Sequence, residues 1–396
     1  MVVKMQEINK TSKGKLILSG VIPIIILAGM IFYIFGPGAD LLDFGTPLPE
    51  ITIEKIDFLD SKIIATVRNT GPIDVDIVQA DVNDRIQPAA IEPDKHLTRF
   101  EVAKVIIPFQ WNVAVPYEIG LTVSDGTRFV KSVTAAAPAP EQNLELASYF
   151  AIIGTYVGII PVMIGLLWFP FISKMSPSKY KFFLALTAGL LLFLGIDAIQ
   201  EGLEISTTSL AGAFNGQLLV ATIVVISFLG LYYSSEKLVN RYATSTMAKP
   251  VVIALMISIG IGLHNLGEGL AIGAAIGLGA IALSKFLIVG FTIHNTTEGI
   301  AIAAPMTRAK PMIGKLAAMG MIAGTPAIFG AWIGGFSYSP FTAVVFLSIG
   351  AGAIFQVVVA IINWIRQDGE KTLSNAAVAS GIMVGMLIMY LTSILV

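Results

Sequence analysis

The chain contains no cysteine, which excludes disulfides, thiolate metal ligands and thiol catalysis. Charge is scarce too: 13% of its 396 residues are Asp, Glu, Lys or Arg, against roughly a quarter in an ordinary soluble domain, while 55% are hydrophobic. Lys and Arg number 25 against 26 Asp and Glu, so no basic surplus points to a nucleic-acid partner. There is no G-x-x-x-x-G-K-[ST] phosphate loop and no H-E-x-x-H phrase, which argues against an ATP-driven pump and against a zincin-type hydrolase. Histidine occurs only three times.

What charge there is lies unevenly, with residues 48–135 at soluble density and the rest almost bare. Lys4, Lys10, Lys13 and Lys15 precede an apolar run, Leu16 to Phe35, of about the 20 residues a spanning helix requires. That run exceeds a signal-peptide core, and Gly36-Pro37-Gly38-Ala39-Asp40 offers no clear A-x-A site, so an uncleaved anchor is expected over 16–36, after a cytoplasmic segment 1–15. From Ile51 to Val133 short period-two segments such as Ile63-Ile64-Ala65-Thr66-Val67-Arg68 alternate with turns such as Asn69-Thr70-Gly71-Pro72, the pattern of a small all-β, immunoglobulin-like sandwich over 48–135. Residues 136–147, opening on Ala136-Ala137-Pro138-Ala139-Pro140, read as a stiff tether.

Eight further apolar spans follow within 148–396, at 148–171, 181–203, 214–233, 250–275, 281–304, 312–335, 341–364 and 374–395. Backbones without water must satisfy themselves, and barrel strands would alternate and be half as long, so these are helices. With the N-terminus cytoplasmic, Lys174, Lys179, Lys181, Lys237, Arg241, Lys249, Arg308, Lys310, Lys315, Arg366 and Lys371 all fall inside, and only Lys285 falls in an outer loop. The expected fold is therefore an all-α polytopic membrane protein with a β-domain, the β-domain and the C-terminus lying outside the cell membrane. Trp168, Trp332, Trp364 and Tyr390, near span ends, read as interfacial anchors.

Two of the three histidines stand in a repeated phrase inside consecutive spans: His264-Asn265-Leu266-Gly267-Glu268-Gly269 and His294-Asn295-Thr296-Thr297-Glu298-Gly299. Ionisable groups at membrane depth cost about 2.5–3.5 kcal/mol each on insertion scales and mark ion or proton handling. Residues four apart share a helix face, so each helix presents an imidazole beside a carboxylate. Asn265 and Asn295 flank the same cavity, and Gly269 and Gly299 let the two backbones approach. Nitrogen and oxygen donors without sulfur suit zinc, iron(II), manganese and related divalent ions. Asp197 and Glu201, on one face near the end of the second span, are candidates for an acidic entrance, with a solvated helix end as the plainer reading; Glu204 reads as surface and His96 as an exposed loop residue.

With these phrases in the fourth and fifth spans, residues 148–396 resemble the ZIP family of divalent-metal transporters, especially its GufA-like branch. The resemblance implies an eight-helix bundle with an external C-terminus. His264, Glu268, His294 and Glu298 would form the primary transport site, with Asn265 and Asn295 serving a neighbouring second site and Asp197 at the external entrance. The chain departs from the family where Gly267 and Thr297 replace a proline, and where Ala327 and the Val357-Val358-Val359 run stand in place of acids. One well-formed site is expected rather than two. The usual histidine-rich loop is absent from Ser234 to Lys249.

The expected function is import of a divalent transition metal, zinc first, with iron, manganese, cobalt and cadmium tolerated by the same donors. No enzymatic activity and no cofactor is expected, since the metal is cargo; the partners are the ion, membrane lipid and a second copy as a homodimer. The rival readings are a metal-binding membrane sensor and a membrane-embedded metallohydrolase.

Overall fold

The computed structural model describes residues 13–34, 37, 47–139, 143–210, 212–242, 248–277, 281–307, 313–366 and 375–395. Lys4, Lys10, Phe35, Gly36, Gly38, Ala39, Asp40, Pro140, Arg308, Lys310 and Lys371, which enter the sequence reading, lie outside them. The chain divides into two compact units, Met1–Pro49 and Glu50–Val396. The first holds helix α1 (Lys13–Ile34), whose residues from Val21 to Tyr33 are all exposed. A helix apolar all round suits lipid rather than water.

The second unit begins as a sandwich of antiparallel strands: β1 (Ile51–Leu59), β2 (Lys62–Asn69), β3 (Val75–Val82), β4 (Arg85–Gln87), β5 (Ala90–Glu92), β6 (His96–Leu97), β7 (Val102–Pro108), β8 (Tyr117–Val123) and β9 (Arg128–Val133). One sheet runs β1-β2-β7-β5; the other runs β4-β3-β8-β9, with β6 paired to β3. Alternation decides which side chains face inward, so Ile63, Ala65 and Val67 of β2 are buried and meet Ile77, Leu97, Ile107, Ile119 and Leu121 in one core. The Asn69 turn is tied from within, its amide donating to Ile73 O at 2.8 Å and Leu97 O at 2.9 Å. Asp81, buried on β3, accepts two bonds from the Arg128 guanidinium, at 3.0 and 2.6 Å. Its carboxylate occupies the space a Cβ at Gly120 would need, 2.2 Å away.

The tether expected to start at residue 136 begins inside the sandwich instead. Ala136 is buried in that core and exchanges backbone hydrogen bonds with Ala114 and Val115, and Ala139 N donates to Phe58 O at 2.7 Å. Its alanines are small enough to lie along β1, so the polypeptide adheres there before the helices start.

Helices then dominate: α2 (Leu144–Gly154), a π-turn (Thr155–Ile159), α3 (Ile160–Leu166), α4 (Phe169–Ile172), α5 (Pro177–Thr208), α6 (Gly216–Tyr242), α7 (Ala248–Gly277), α8 (Ile281–Met306), α9 (Ile313–Gly324), α10 (Pro326–Ser337), α11 (Pro340–Arg366) and α12 (Ala376–Leu395). Among the described residues, seven helical spans are long and apolar enough to cross a bilayer, from Leu144–Ile172 to Pro340–Arg366. The eighth expected span is α12, whose described apolar part, Ala376–Leu391, is shorter. The chain is thus a multi-pass membrane protein with a β-domain.

Two spans are interrupted. The first changes to π-winding just before Pro161, and the sixth breaks at Thr325 before Pro326. Proline cannot donate the helical hydrogen bond, so the interruption follows from sequence. The helices also sort into two groups by mutual packing: α5, α6, α11 and α12 in one, and α2 to α4 with α7 to α10 in the other, with α7 packed on α11 and α6, and α8 on α5 and α12, between them. Trp364, expected at the membrane interface, is buried, its indole donating to Tyr180 Oη at 3.3 Å, and Trp332 donates to Ala147 O at 2.8 Å. Both pin helices together. Lys285 sits inside the first turns of α8, exposed.

Candidate metal centre

Both repeated phrases fold as uninterrupted helix near the middles of α7 and α8. Gly267 and Thr297 allow this, and Thr297 even bonds back to its own helix, Oγ1 donating to His294 O at 2.6 Å. The breaks fall in the neighbouring spans instead, where they supply carbonyls to the site.

His264, Asn265, Glu268, His294, Asn295 and Glu298 are all buried. His264, Glu268 and His294 each offer a ligand atom within 4.8 Å of the others. Glu268 is the hub. Its Oε1 lies 2.9 Å from His264 Nε2 and against His294 Nε2, and its Oε2 accepts from Asn295 Nδ2 at 3.0 Å. Glu298 stands outside that three-residue set. Asn265 and Asn295 are clamped alike, Asn265 Nδ2 donating to Ala323 O and Asn295 Nδ2 to Val157 O, both at 3.1 Å. Val157 O is the carbonyl that Pro161, four residues on, cannot serve.

The clamps leave a particular set of atoms over. Buried and without a hydrogen-bond partner among the described residues are Asn265 Oδ1, Asn295 Oδ1 and both carboxylate oxygens of Glu298, while His264 Nε2 has the Glu268 carboxylate beside it at 2.9 Å. Buried polar atoms are nearly always satisfied, so four unpartnered oxygens close to the histidine cluster mark it as a candidate binding site. The two amide oxygens only accept, and so do both oxygens of Glu298 when it is ionised. A cation fits this surplus of acceptors; an anion does not.

The glycines act differently from expectation. Gly269 and Gly299 do not bring α7 and α8 together. A Cβ at Gly269 would stand 2.1 Å from Ala327 O of α10, and one at Gly299 would stand 2.1 Å from Val162 O of α3. In return, Gly330 faces Leu266 O and Gly165 faces Thr296 O, at 2.1 and 2.0 Å by the same measure. The third, sixth and asparagine positions of each phrase therefore meet equivalent positions on α10 with α9, and on α3 with the π-turn. The only slip is one residue. Ala323 lies four residues before Ala327, and Val157 five before Val162, the extra residue being the one a π-turn inserts. Since α7 and α8 run in opposite directions, the two assemblies are inverted copies of each other.

A cavity of about 100 Å³ reaches this centre, lined among others by Asp197, Glu201, His264, Glu268 and His294, with Phe291 and Leu347. That volume holds several waters or a partly hydrated ion. Asp197 and Glu201 thus face the histidine cluster across one space, from the other helix group. All its lining helix segments lie toward the β-domain end. On the far side an apolar cluster, including Ile257, Ile261, Ala301, Ile302, Ala323 and Val357, closes the helices together. Ala327 and Val357, where the family has acids, are buried and apolar, with Gln356 a buried polar neighbour in sequence. Glu204 is exposed, and His96 is half-exposed beside Asp76 in the sandwich.

The carbonyl clamps and the π-turn were missed in the sequence, although Pro161 and Pro326 were the visible signal for both. No protein-family model matches the chain, and no curated protein matches it. Among solved structures, the archaellum periplasmic stator protein FlaG from Sulfolobus acidocaldarius is similar at 16% identity, over 22% of this chain and 100% of that one, with a TM-score of 0.19.

Proposed function

We propose that the chain is a ZIP-like divalent-metal permease of the cell membrane, importing zinc first among the transition metals, with the β-domain and C-terminus outside. The observation that carries this reading is the gathering of His264, Glu268 and His294 beside four buried oxygens, of Asn265, Asn295 and Glu298, that have no hydrogen-bond partner among the described residues. Mixed imidazole and carboxylate donors favour zinc, iron(II), manganese, cobalt and cadmium over magnesium or calcium, which take oxygen alone. A buried site open to one end through an acid-lined cavity suits cargo better than a resident cofactor.

The helix grouping supports a mechanism. All six centre residues belong to the group of α2 to α4 and α7 to α10, and Asp197 and Glu201 to the other. Sliding or rocking of the ligand-bearing group carries the held ion past the apolar seal toward the far side, so that one site is exposed to the two sides in turn. Asp197 and Glu201 gather cations at the cavity, and the histidines with Glu268 and Glu298 replace the lost hydration shell.

The test is uptake into liposomes by wild type, Glu268→Ala and His294→Ala over a panel of divalent ions. Saturable flux that both substitutions abolish is expected. Binding without flux in the wild type would overturn the permease and favour a sensor or an enzyme.

A further inference from the structure

The inter-helix hydrogen bonds of the centre stay within one helix group, Asn265 to Ala323 O and Asn295 to Val157 O joining ligand-bearing helices to their own neighbours. In the other group Ser227 Oγ of α6 donates to Ile349 O of α11 at 2.9 Å. Tyr180 does otherwise. From the start of α5 its hydroxyl donates to Ala304 O of α8 at 3.1 Å, tying a helix of one group to a helix of the other.

This tie lies at the closed end. At about 1.5 Å per residue, Tyr180 is roughly 25 Å from Asp197 along α5, and Ala304 is roughly 9 Å past Glu298 along α8, on the side away from the cavity. Tyr180, Ala304 and Trp364 are all buried in the apolar cluster that closes the helices there. Away from water such a hydrogen bond is stronger than at a surface.

Each end of the tie also has a partner on its own side. Ala304 is in the last turn of α8, where carbonyls lack a helical partner, and its oxygen accepts from Thr307 Oγ1 at 2.8 Å as well. The Tyr180 oxygen accepts at 3.3 Å from the indole of Trp364, which belongs to α11 in Tyr180's own group. Parting the two groups here therefore leaves neither oxygen bare, the condition that makes a buried hydrogen bond cheap to break.

We infer that the Tyr180–Ala304 hydrogen bond is the latch of the far-side gate: it holds α8 of the ligand-bearing group to α5 while the site faces the β-domain end, and it parts when the site turns to the far side. Water entering the opened end takes up the freed hydroxyl hydrogen. The inference rests on the permease reading for its consequence, release of the ion; the latch itself concerns only which end of the helices is open.

Because the chain has no cysteine, single cysteines report on each end without background. Ala271→Cys lines the cavity, and Ile257→Cys sits in the apolar seal. Each is placed in the full chain, in metal-free membrane vesicles of both orientations, and labelled with a membrane-impermeant maleimide with and without Tyr180→Phe, which keeps the ring and removes only the donor. Labelling of Ile257→Cys from the far side is expected to rise about three- to ten-fold, the worth of one hydrogen bond, while labelling of Ala271→Cys from the cavity side does not rise. A rise at both positions is general loosening, and no rise at Ile257→Cys means the bond holds no gate; either overturns the latch. A second variant works in the opposite direction and covers poor folding of the first. Thr307→Val takes from Ala304 O the bond it would keep, so it is expected to slow labelling of Ile257→Cys, and faster labelling overturns the latch. Zinc flux is scored separately: a wild type without flux overturns the permease, while the expected labelling pattern still upholds the latch.

Discussion

Replacing Glu268 with Gln removes one negative charge from the hub of the centre and almost no volume. The amide oxygen still accepts from Asn295 Nδ2, the bond now made at 3.0 Å, and the new N–H group can donate to a neutral ring nitrogen of His264 or His294, so the metal-free fold should stay within about 1 kcal/mol of wild type. Cation affinity should fall steeply. Two unit charges about 4 Å apart interact by about 4 kcal/mol at an effective dielectric constant of about 20, and a divalent ion feels at least that. Taken as a floor, this is a loss of about a thousand-fold in Kd. The assay is thermal unfolding in detergent with and without zinc, beside a chelator-competition titration. At zinc about 100 times its Kd, wild type gains about 2.7 kcal/mol, and Glu268→Gln at the same zinc gains almost nothing. A centre that merely glues helices behaves oppositely: the substitution lowers stability while zinc leaves wild type untouched. That outcome, or a Kd within ten-fold of wild type, refutes the reasoning.

Adjacent glycines should respond differently to alanine. At Gly267 the nearest atom to a new Cβ is 3.7 Å away, so Gly267→Ala is neutral or stabilising by about 0.5–1 kcal/mol, whereas Gly269→Ala drives a methyl into Ala327 O at 2.1 Å and should lower the melting temperature and the yield of folded protein. Arg128→Ala strands the buried Asp81 carboxylate and should cost the sandwich about 3–5 kcal/mol in urea unfolding, most of it recovered when Asp81→Val is added. Lys131 donates to Ile53 O and Glu54 O at 2.8 and 2.9 Å, and burial holds its pKa below the ordinary lysine value, with Glu54 opposing. Between that lowered native value and the unfolded value near about 10.4, the unfolded chain binds more protons, so sandwich stability rises with pH across the window, and pulse proteolysis in urea should show Lys131→Met flattening the rise.

The helices were legible because lipid-facing segments need length and apolarity, and both are visible as runs of residues. The sandwich strands were legible through their two-residue alternation. The six centre residues announced themselves as polar groups in apolar surroundings, repeated at one spacing, and the structure buries all six while gathering only His264, Glu268 and His294 tightly. What sequence periodicity does not carry is the choice of neighbour. Nothing in a local pattern says that Gly269 faces α10 and Gly299 faces α3, or that Trp364 turns inward to Tyr180, because those contacts join residues far apart in the chain. The adherence of Ala136 to the sandwich was hidden for the same reason, its alanines and prolines reading as a spacer.

For the proposed permease, the inverted anchoring of the two phrases bears on vectorial transport. Asn265 and Asn295 hold their helices by like bonds to carbonyls of neighbouring spans. Whatever sets a preferred direction must reside where the two copies differ: in the sandwich at one end, in the apolar seal at the other, in Glu268 having partners that Glu298 lacks, and in the single residue that the π-turn adds beside Val157.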